Sequence, residues 1–168
     1  MPNKFLAVLF AACLTPIATS AETALERGRY LVEGIAACGN CHTSPAPGSV
    51  PFAGGDFREI VPEPGWSFHA PNITPGGRVA DWSDAELARA IREGVRPDGS
   101  VIGPPMPIVL YRGLSDSDLA AVVAYLRTLP AADAPHKSNE YPFPLPESYG
   151  PPVQSVADVP RAPGAEYG

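Results

Sequence analysis

Cys38-Gly39-Asn40-Cys41-His42 is the stretch that decides how this chain must fold, because it has the pattern C-x-x-C-H. Two thiols three positions apart, followed at once by an imidazole, are typical of covalent c-type haem attachment. The spacing lets each thiol reach one of two vinyl groups on the same porphyrin edge, while the histidine turns under the ring toward the iron. The motif therefore predicts one covalently bound haem c, attached through Cys38 and Cys41, with His42 as the proximal iron ligand.

Two other kinds of site use closely spaced cysteines. A zinc site needs a second pair of ligands, whereas the remaining histidines, His69 and His136, lie far from each other in the sequence. A thioredoxin-like redox pair follows a strand and begins a helix, whereas here a helical pattern precedes the motif. Both alternatives fit the sequence less well than haem attachment does.

The second axial position of the iron needs a ligand, and one methionine lies downstream of the motif. It is Met106, within Ile102-Gly103-Pro104-Pro105-Met106-Pro107. The prolines stiffen this loop, which suits a ligand whose sulfur must be held at a fixed distance, whereas a core-filling methionine uses its flexibility. We therefore expect Met106 to bind the iron and to raise the reduction potential relative to two histidines. His69 is the alternative distal ligand, and His136 is a less favoured alternative.

The first 21 residues are predicted to be a secretory signal peptide. Lys4 precedes an apolar run of ten residues, and small residues follow it as far as Ala21. Ten residues at about 1.5 Å each cannot cross a hydrocarbon core of about 30 Å, so no transmembrane anchor is expected. Cleavage after Ala21 would give a periplasmic protein. The residues before Cys13 resemble a lipobox, which leaves a lipid anchor at Cys13 as the less favoured alternative.

Composition limits the class of protein further. The chain has 168 residues, of which 45% are hydrophobic, and this suits one soluble domain. It carries 18 acidic and 12 basic side chains, a net charge of −6, so nucleic acid is a poor partner. Its 22 prolines lack the N–H that helix and sheet ladders require, so much of the chain must be irregular.

Apolar spacing predicts three main helices and almost no strands, which is an all-α fold around the cofactor. The first helix is predicted from Glu22 to Ala37. Gly28 lies on its apolar face and lowers helix stability, which indicates that another helix approaches closely there. The chain between these helices is rich in loops.

The second and third predicted helices have recognisable ends. The second begins at Ser83, which forms a capping box with Glu86, and ends near Gly94. The third begins at Ser115, with Asp118 in the same box position, and is stopped by Pro130. We therefore predict a domain over residues 22–130.

Residues 131–168 are predicted to form a proline-rich extended arm. The chain from Pro130 onward contains nine prolines and no long apolar period. The arm has three possible roles at this point: it wraps the domain, it docks on a partner through the segment from Tyr141 to Pro146, or it is a disordered tail.

The sequence resembles a class I c-type cytochrome, and more narrowly the cytochrome c modules in the cytochrome subunits of bacterial membrane alcohol and gluconate dehydrogenases. The resemblance covers roughly residues 24–130 and rests on residues 38–43, Phe52-Ala53-Gly54-Gly55, Ala70-Pro71-Asn72-Ile73-Thr74-Pro75, Trp82-Ser83-Asp84, Met106-Pro107 and residues 114–127. It implies an electron carrier whose first and last helices cross at Gly28 and Tyr125. It also implies that Asn72, Thr74 and Trp82 lie near the haem, where they could bind a propionate. Those subunits carry three such modules, whereas this sequence has one motif.

These observations predict a periplasmic one-electron carrier with no catalytic residues. Its partners would be a dehydrogenase donor and a cytochrome or oxidase acceptor, and it would be either a free shuttle or a permanent dehydrogenase subunit. The alternative function is a peroxidase-like haem enzyme in which Met106 is displaceable. Basic residues flank the Met106 loop, and they either form a docking surface for a shuttle or pair with neighbouring acids. They are Arg78, Arg89, Arg92, Arg96 and Arg112.

Overall fold

The computed structural model of the chain describes residues 22–57 and 64–159. The predicted signal peptide, with Cys13, and the last nine residues of the predicted arm lie outside the described residues.

The described chain contains five helices, one of which continues into a π-helical segment, and one small antiparallel sheet. The helices are α1 (Ala24–Tyr30, continued by the π-helical Leu31–Ile35), α2 (Cys38–His42), α3 (Asp84–Glu93), α4 (Ile108–Tyr111) and α5 (Asp116–Thr128). The sheet pairs β1 (Gly55–Asp56) with β2 (His69–Ala70). The three predicted main helices correspond to α1, α3 and α5, whereas the short α2, α4 and both strands were not predicted.

The first helix ends two residues earlier than its apolar pattern predicts. It begins at a capping box, in which the Thr23 hydroxyl accepts a hydrogen bond from Glu26 N and the Glu26 carboxylate accepts one from Thr23 N. It ends at Ile35, and Ala37 then takes a left-handed conformation with φ of 51°. This reversal of the backbone lets α2 begin at Cys38, directly after the first helix.

The capping predictions for the other two main helices have different outcomes. The box at Ser83 and Glu86 is formed as predicted, and Gly94 ends α3 in a left-handed conformation. Ser115 caps α5 by accepting from Asp118 N, but the Asp118 carboxylate does not complete a box. It pairs instead with the Arg27 guanidinium through two hydrogen bonds of 2.8 Å. A charged, bidentate partner is stronger than a backbone amide, so the prediction for Asp118 was wrong.

The crossing of α1 and α5 lies where the resemblance places it. A Cβ atom on Gly28 would be 2.7 Å from the carbonyl carbon of Ala121 and 2.7 Å from the Cβ of Tyr125. Only glycine allows the two backbones to come this close. The Tyr125 hydroxyl also donates to Glu33 at 2.5 Å, which ties the two helices together beyond the crossing.

The hydrophobic core lies between these helices and the loops that follow α2. Its buried members come from α1 with its π-helical continuation, α3, α5 and two loops. They are Leu31, Val32, Phe52, Val79, Leu87, Val122, Val123 and Leu126. The core borders a central cavity, so the helices fix the walls in which the functional side chains stand.

Residues 131–159 contain no helix and lie against the rest of the chain. Glu140 and Ser67 pair through two backbone hydrogen bonds of 3.1 Å. The Tyr149 hydroxyl donates to the carbonyl of Ile102 at 2.8 Å, and Asp116 N donates to the carbonyl of Val156 at 3.0 Å. Of the three roles considered for this segment, these contacts favour one that wraps the domain.

Among the described residues, no helix combines the length and the apolar character needed to cross a bilayer.

Candidate cofactor site

A cavity of about 590 Å³ brings together the four residues predicted to hold the haem. Cys38, Cys41 and His42 enter it from α2, and Met106 enters from the loop that precedes α4. Most of the remaining wall is apolar and comes from α3, α5 and nearby loops. These apolar lining residues include Ile73, Val79, Leu87, Ile91, Leu114, Val122 and Leu126. A large apolar cavity with a few directed polar groups is the usual form of a cofactor site.

His42 is held in one orientation by the backbone. It is buried, and its Nδ1 lies 2.7 Å from the carbonyl oxygen of Pro71. A carbonyl accepts only, so Nδ1 carries the hydrogen and Nε2 keeps its lone pair. Burial lowers the pKa of His42, which favours the neutral imidazole that metal binding requires. The site therefore presents Nε2 as a ligand.

The two cysteines do not have the character of a redox-active pair. Neither forms a disulfide in the described structure. Burial raises the pKa of Cys38 to about 11 and also raises the pKa of Cys41. Thiol–disulfide catalysis relies on a lowered thiol pKa, so this environment disfavours it. The thiols, the oriented imidazole and the thioether of Met106 together fit a c-type haem.

The Met106 loop is anchored beside the motif. Ile108, which is fully buried, donates its N–H to the carbonyl of Met106 at 2.9 Å. At the other end of α4, the Tyr111 hydroxyl donates to the carbonyl of Ala36 at 2.6 Å. Burial raises the pKa of Tyr111 to about 12, so this phenol stays protonated and keeps its hydrogen bond. His69 and His136 also line the cavity, and the assignment of Met106 as distal ligand stays a prediction.

Of the three residues that the resemblance places near the haem, Trp82 lines the cavity and Asn72 and Thr74 do not. The Asn72 carboxamide oxygen accepts from the backbone N–H and the hydroxyl of Thr74, at 2.9 and 2.8 Å. Its amide donates to the carbonyl of Ala132 at 2.7 Å. These bonds fix the loop whose Pro71 carbonyl orients His42, which indicates a positioning role for both residues.

Several lining residues were not assigned to the site from the sequence. Arg78 and Arg96 line the cavity, although they were expected either on a docking surface or in surface pairs. The segment after Pro130 also reaches the cavity. It contributes His136, Lys137, Ser138, Asn139, Tyr141 and Leu145. His136 was considered from the sequence only as an alternative iron ligand, and no motif marks the others. The Pro71 contact uses a backbone atom that residue type does not reveal.

The other three arginines of that predicted group make contacts within the chain. Arg92 donates to Asp116 and to the carbonyl of Leu114, both at 2.7 Å. Arg89 pairs with Glu93, and Arg112 donates to the carbonyl of Pro151. The alternative that these arginines pair with acids therefore describes Arg89 and Arg92, whereas Arg112 donates to a backbone carbonyl.

Comparison with known proteins gives the same family. Residues 25–130 match the sequence model described as "Cytochrome c". The chain is 32% identical over 132 residues to the fructose dehydrogenase cytochrome subunit of Gluconobacter japonicus, covering 76% of this chain and 26% of that protein. It is 40% identical over 116 residues to a diheme cytochrome c-type protein of Cereibacter sphaeroides, covering 64% of this chain and 36% of that protein.

A third relative is the gluconate 2-dehydrogenase cytochrome c subunit of Pantoea cypripedii. The chain is 34% identical to it over 125 residues, which cover 72% of this chain and 27% of that protein. The resemblance drawn from the sequence motifs is thereby confirmed. The matches to these three relatives span about a quarter to a third of the relatives' length.

Proposed function

This chain belongs to the cytochrome c family, and on that premise we propose that it is a periplasmic monohaem cytochrome that carries single electrons between redox proteins. The observation that carries the proposal is the convergence of Cys38, Cys41, His42 and Met106 on one cavity. One C-x-x-C-H motif in the sequence supports a single haem. The predicted signal peptide supports the periplasmic location.

The residues of this chain supply attachment, orientation and exclusion of water. Bound haem supplies the chemistry, since its iron changes between the ferrous and ferric states. Cys38 and Cys41 would hold the porphyrin through thioethers, and His42 and Met106 would bind the iron. The apolar walls keep water away, which limits reorganisation on electron transfer. A methionine in the distal position argues against the peroxidase-like alternative, because such an enzyme needs an open distal site.

A permanent place in a dehydrogenase complex is the partnership that the observations favour. Relatives of this chain are cytochrome subunits of fructose and gluconate dehydrogenases. The charges of Arg89 and Arg92 are offset by Glu93 and Asp116, so these two arginines are poorly suited to steer a free shuttle by charge.

Haem attachment is tested by expressing the full chain in a bacterium that carries the haem attachment machinery. We expect one haem per chain, retained after acid–organic extraction, and a one-electron redox titration. The Cys38→Ala/Cys41→Ala protein should lose its haem on extraction. Loss of haem from the unaltered protein would overturn the proposal.

Location and partnership need a separate experiment in the native host. Fractionation should place the untagged protein in the periplasmic fraction or bound to the membrane through a co-purifying dehydrogenase. The rate of electron transfer by a permanent subunit should vary little between about 10 and a few hundred mM salt, although the Debye length falls from about 30 Å to several ångströms. A steep fall in rate with salt, without a co-purifying dehydrogenase, would indicate a free shuttle.

A further inference from the structure

The few charged side chains in the largely apolar wall of the cavity are cationic, although the chain as a whole is acidic. Arg78, Arg96 and Lys137 line it together with three histidines, and its lining includes no Asp or Glu among the residues that the structure describes. The chain, in contrast, has 18 acidic and 12 basic side chains. Charges taken partly out of water need a counter-charge, so this wall is suited to an anionic ligand.

Two of these cations form no close ion pair with a carboxylate within residues 22–57 and 64–159, although the charge of Asp98 acts on both of them. Lys137 is neutralised, because its Nζ lies 3.0 Å from Asp56 Oδ2. Arg78 and Arg96 form no ion pair in the same part of the chain. The Arg78 guanidinium lies over the Trp82 ring, 5.7 Å from its centroid. A planar, always charged guanidinium is the side chain best suited to bind a carboxylate through two hydrogen bonds.

Arg96 is fixed in place by a tight turn. Its Nη1 donates to the carbonyl of Val101 at 2.7 Å and to the hydroxyl of Ser100 at 3.0 Å. Its backbone N–H donates to the carbonyl of Ser100 at 2.9 Å, which closes the same turn. A pre-formed guanidinium loses little side-chain freedom when a ligand binds.

The cations form one group within the cavity. Burial lowers the pKa of Arg96, and the charge of Arg78 lowers it further. Burial likewise lowers the pKa of His136, and the charges of Arg78, Arg96 and His69 add to that effect. His136 lines the same cavity as both arginines, and its imidazole N–H can donate a hydrogen bond.

We propose that Arg78 and Arg96, joined by His136 as a hydrogen-bond donor, form the binding site for the two propionate carboxylates of the haem. This inference rests on the proposed function, since it needs haem c in the cavity. Haem c has two propionates as its ionised substituents, on the porphyrin edge opposite the one that the cysteines bind. His136 follows residue 130, where the family match ends, so the segment after that point completes the site.

The test compares reduction potentials of holoproteins that carry Arg78→Gln, Arg96→Gln or His136→Gln. Each arginine variant should have a lower potential at pH 7, because a lost positive charge favours the ferric state. A propionate pKa, read from the pH at which the potential changes slope, should rise by about one unit or more, as expected for a carboxylate that loses an adjacent arginine. The propionate vibrations in the resonance Raman spectrum should shift in all three variants.

Arg89→Gln is the matched control, because Arg89 lies on α3 outside the cavity lining and pairs with Glu93. It removes the same charge and should leave the propionate pKa and vibrations unchanged. Arg78→Lys and Arg96→Lys keep the charge and should stay closer to the unaltered protein in potential than the glutamine variants. The other titratable groups that face the site, directly or through a partner, are His69, Lys137, Tyr141, Asp56 and Asp98. They are common to every variant.

Equal shifts in Arg89→Gln and the cavity variants, or equal effects of lysine and glutamine, would overturn the propionate site while leaving haem attachment intact. Absence of covalent haem from the unaltered chain would instead overturn the proposed function. Shifts confined to the cavity variants and reduced by lysine would support the site.

Discussion

The carbonyl oxygen of Pro71 lies 2.7 Å from Nδ1 of the buried His42, across 29 residues of sequence. This one contact fixes which ring nitrogen faces the cavity. A hydrogen bond from the non-ligating nitrogen also raises the basicity of the ligating one. The loop at Pro71 is thus as much a part of the predicted iron site as the motif itself.

Thr74→Val tests whether hydrogen bonds of the Thr74 hydroxyl stabilise the loop at Pro71. The Thr74 hydroxyl is fully buried, donates to Asn72 Oδ1 at 2.8 Å and accepts from Ala132 N at 3.1 Å. Valine removes the acceptor of Ala132 N and of Gly76 N, while Asn72 Oδ1 keeps its bond from the N–H of residue 74. We therefore expect the free energy of unfolding to fall by about 1–3 kcal/mol in denaturant titrations of the holoprotein.

Thr128→Val is the control for Thr74→Val. It removes an exposed hydroxyl that donates to the carbonyl of Tyr125 and should change stability by about 0.5 kcal/mol or less. If the stability of Thr74→Val were unchanged and the propionate pKa were shifted, Thr74 would contact the haem instead of stabilising the loop.

Met106→Ala tests the distal ligand. The variant should lose the near-infrared sulfur-to-iron band of the oxidised protein and bind carbon monoxide faster. Its potential should fall by on the order of 0.1 V, within the roughly 0.8 V range that axial ligands set. Val109→Ala, next to the same loop but 69% exposed, should change none of these. Spectra that are unchanged in Met106→Ala would move the ligand to His69 or His136.

Gly28→Ala tests the crossing of α1 and α5. The added methyl group would meet the backbone of Ala121 and the Cβ of Tyr125, neither of which can rotate away. We expect the free energy of unfolding to fall by about 1–3 kcal/mol, measured from denaturant midpoints at unchanged m value. Gly34→Ala is the control, since its nearest neighbour would be Tyr30 Cδ2 at 4.0 Å, and it should be neutral or stabilising by up to about 1 kcal/mol. Equal losses in both variants would refute the close crossing.

Acid should release the end of the segment that wraps the domain. The Ser155 hydroxyl, the Arg92 guanidinium and the N–H of Val156 hold the pKa of Asp116 below its usual range. A pKa that is lower in the folded state gives stability that is present above the unfolded value, about 3.9, and lost as the pH falls through the folded value. Amide exchange in residues 153–158, corrected for intrinsic rate, should therefore rise below about pH 4.

Asp116→Asn should raise that exchange already at neutral pH and reduce its dependence on acid. A smaller dependence remains, because the Glu93 carboxylate accepts from Val153 N at 3.0 Å. Asp84→Asn is the control, because this exposed carboxylate pairs with Arg127 and makes no contact with residues 153–158 that the structure describes. Exchange that stays slow in Asp116→Asn would mean that other contacts hold the segment.

The main helices and the attachment motif were predictable because they depend on local pattern. Ser83 with Glu86 specifies a helix start by hydrogen bonds within four residues, and the cysteine spacing follows from the porphyrin edge. The box at Asp118 was mispredicted for the opposite reason. Its actual partner, Arg27, is 91 residues away and is brought close only by the crossing at Gly28.

The rest of the site depends on contacts that produce no repeating pattern in the sequence. α2 and α4 have five and four residues, which is too short for a helical pattern to emerge. Arg78 and Arg96 look like surface residues in the sequence, and only the folded chain turns them toward the cavity. The proline-rich segment after residue 130 has no period at all, since its backbone is placed by individual hydrogen bonds such as that of Tyr149.

The cavity wall continues to Leu145, whereas the sequence signature of the family ends at residue 130. The part of the chain that matches the family is therefore shorter than the part that forms the cavity. A fusion protein or a shortened chain that ends at residue 130 would expose one wall of the cavity to solvent. A transplant that preserves the cofactor's surroundings must carry the chain through Leu145, and through Tyr149 to keep the turn at Ile102 in place.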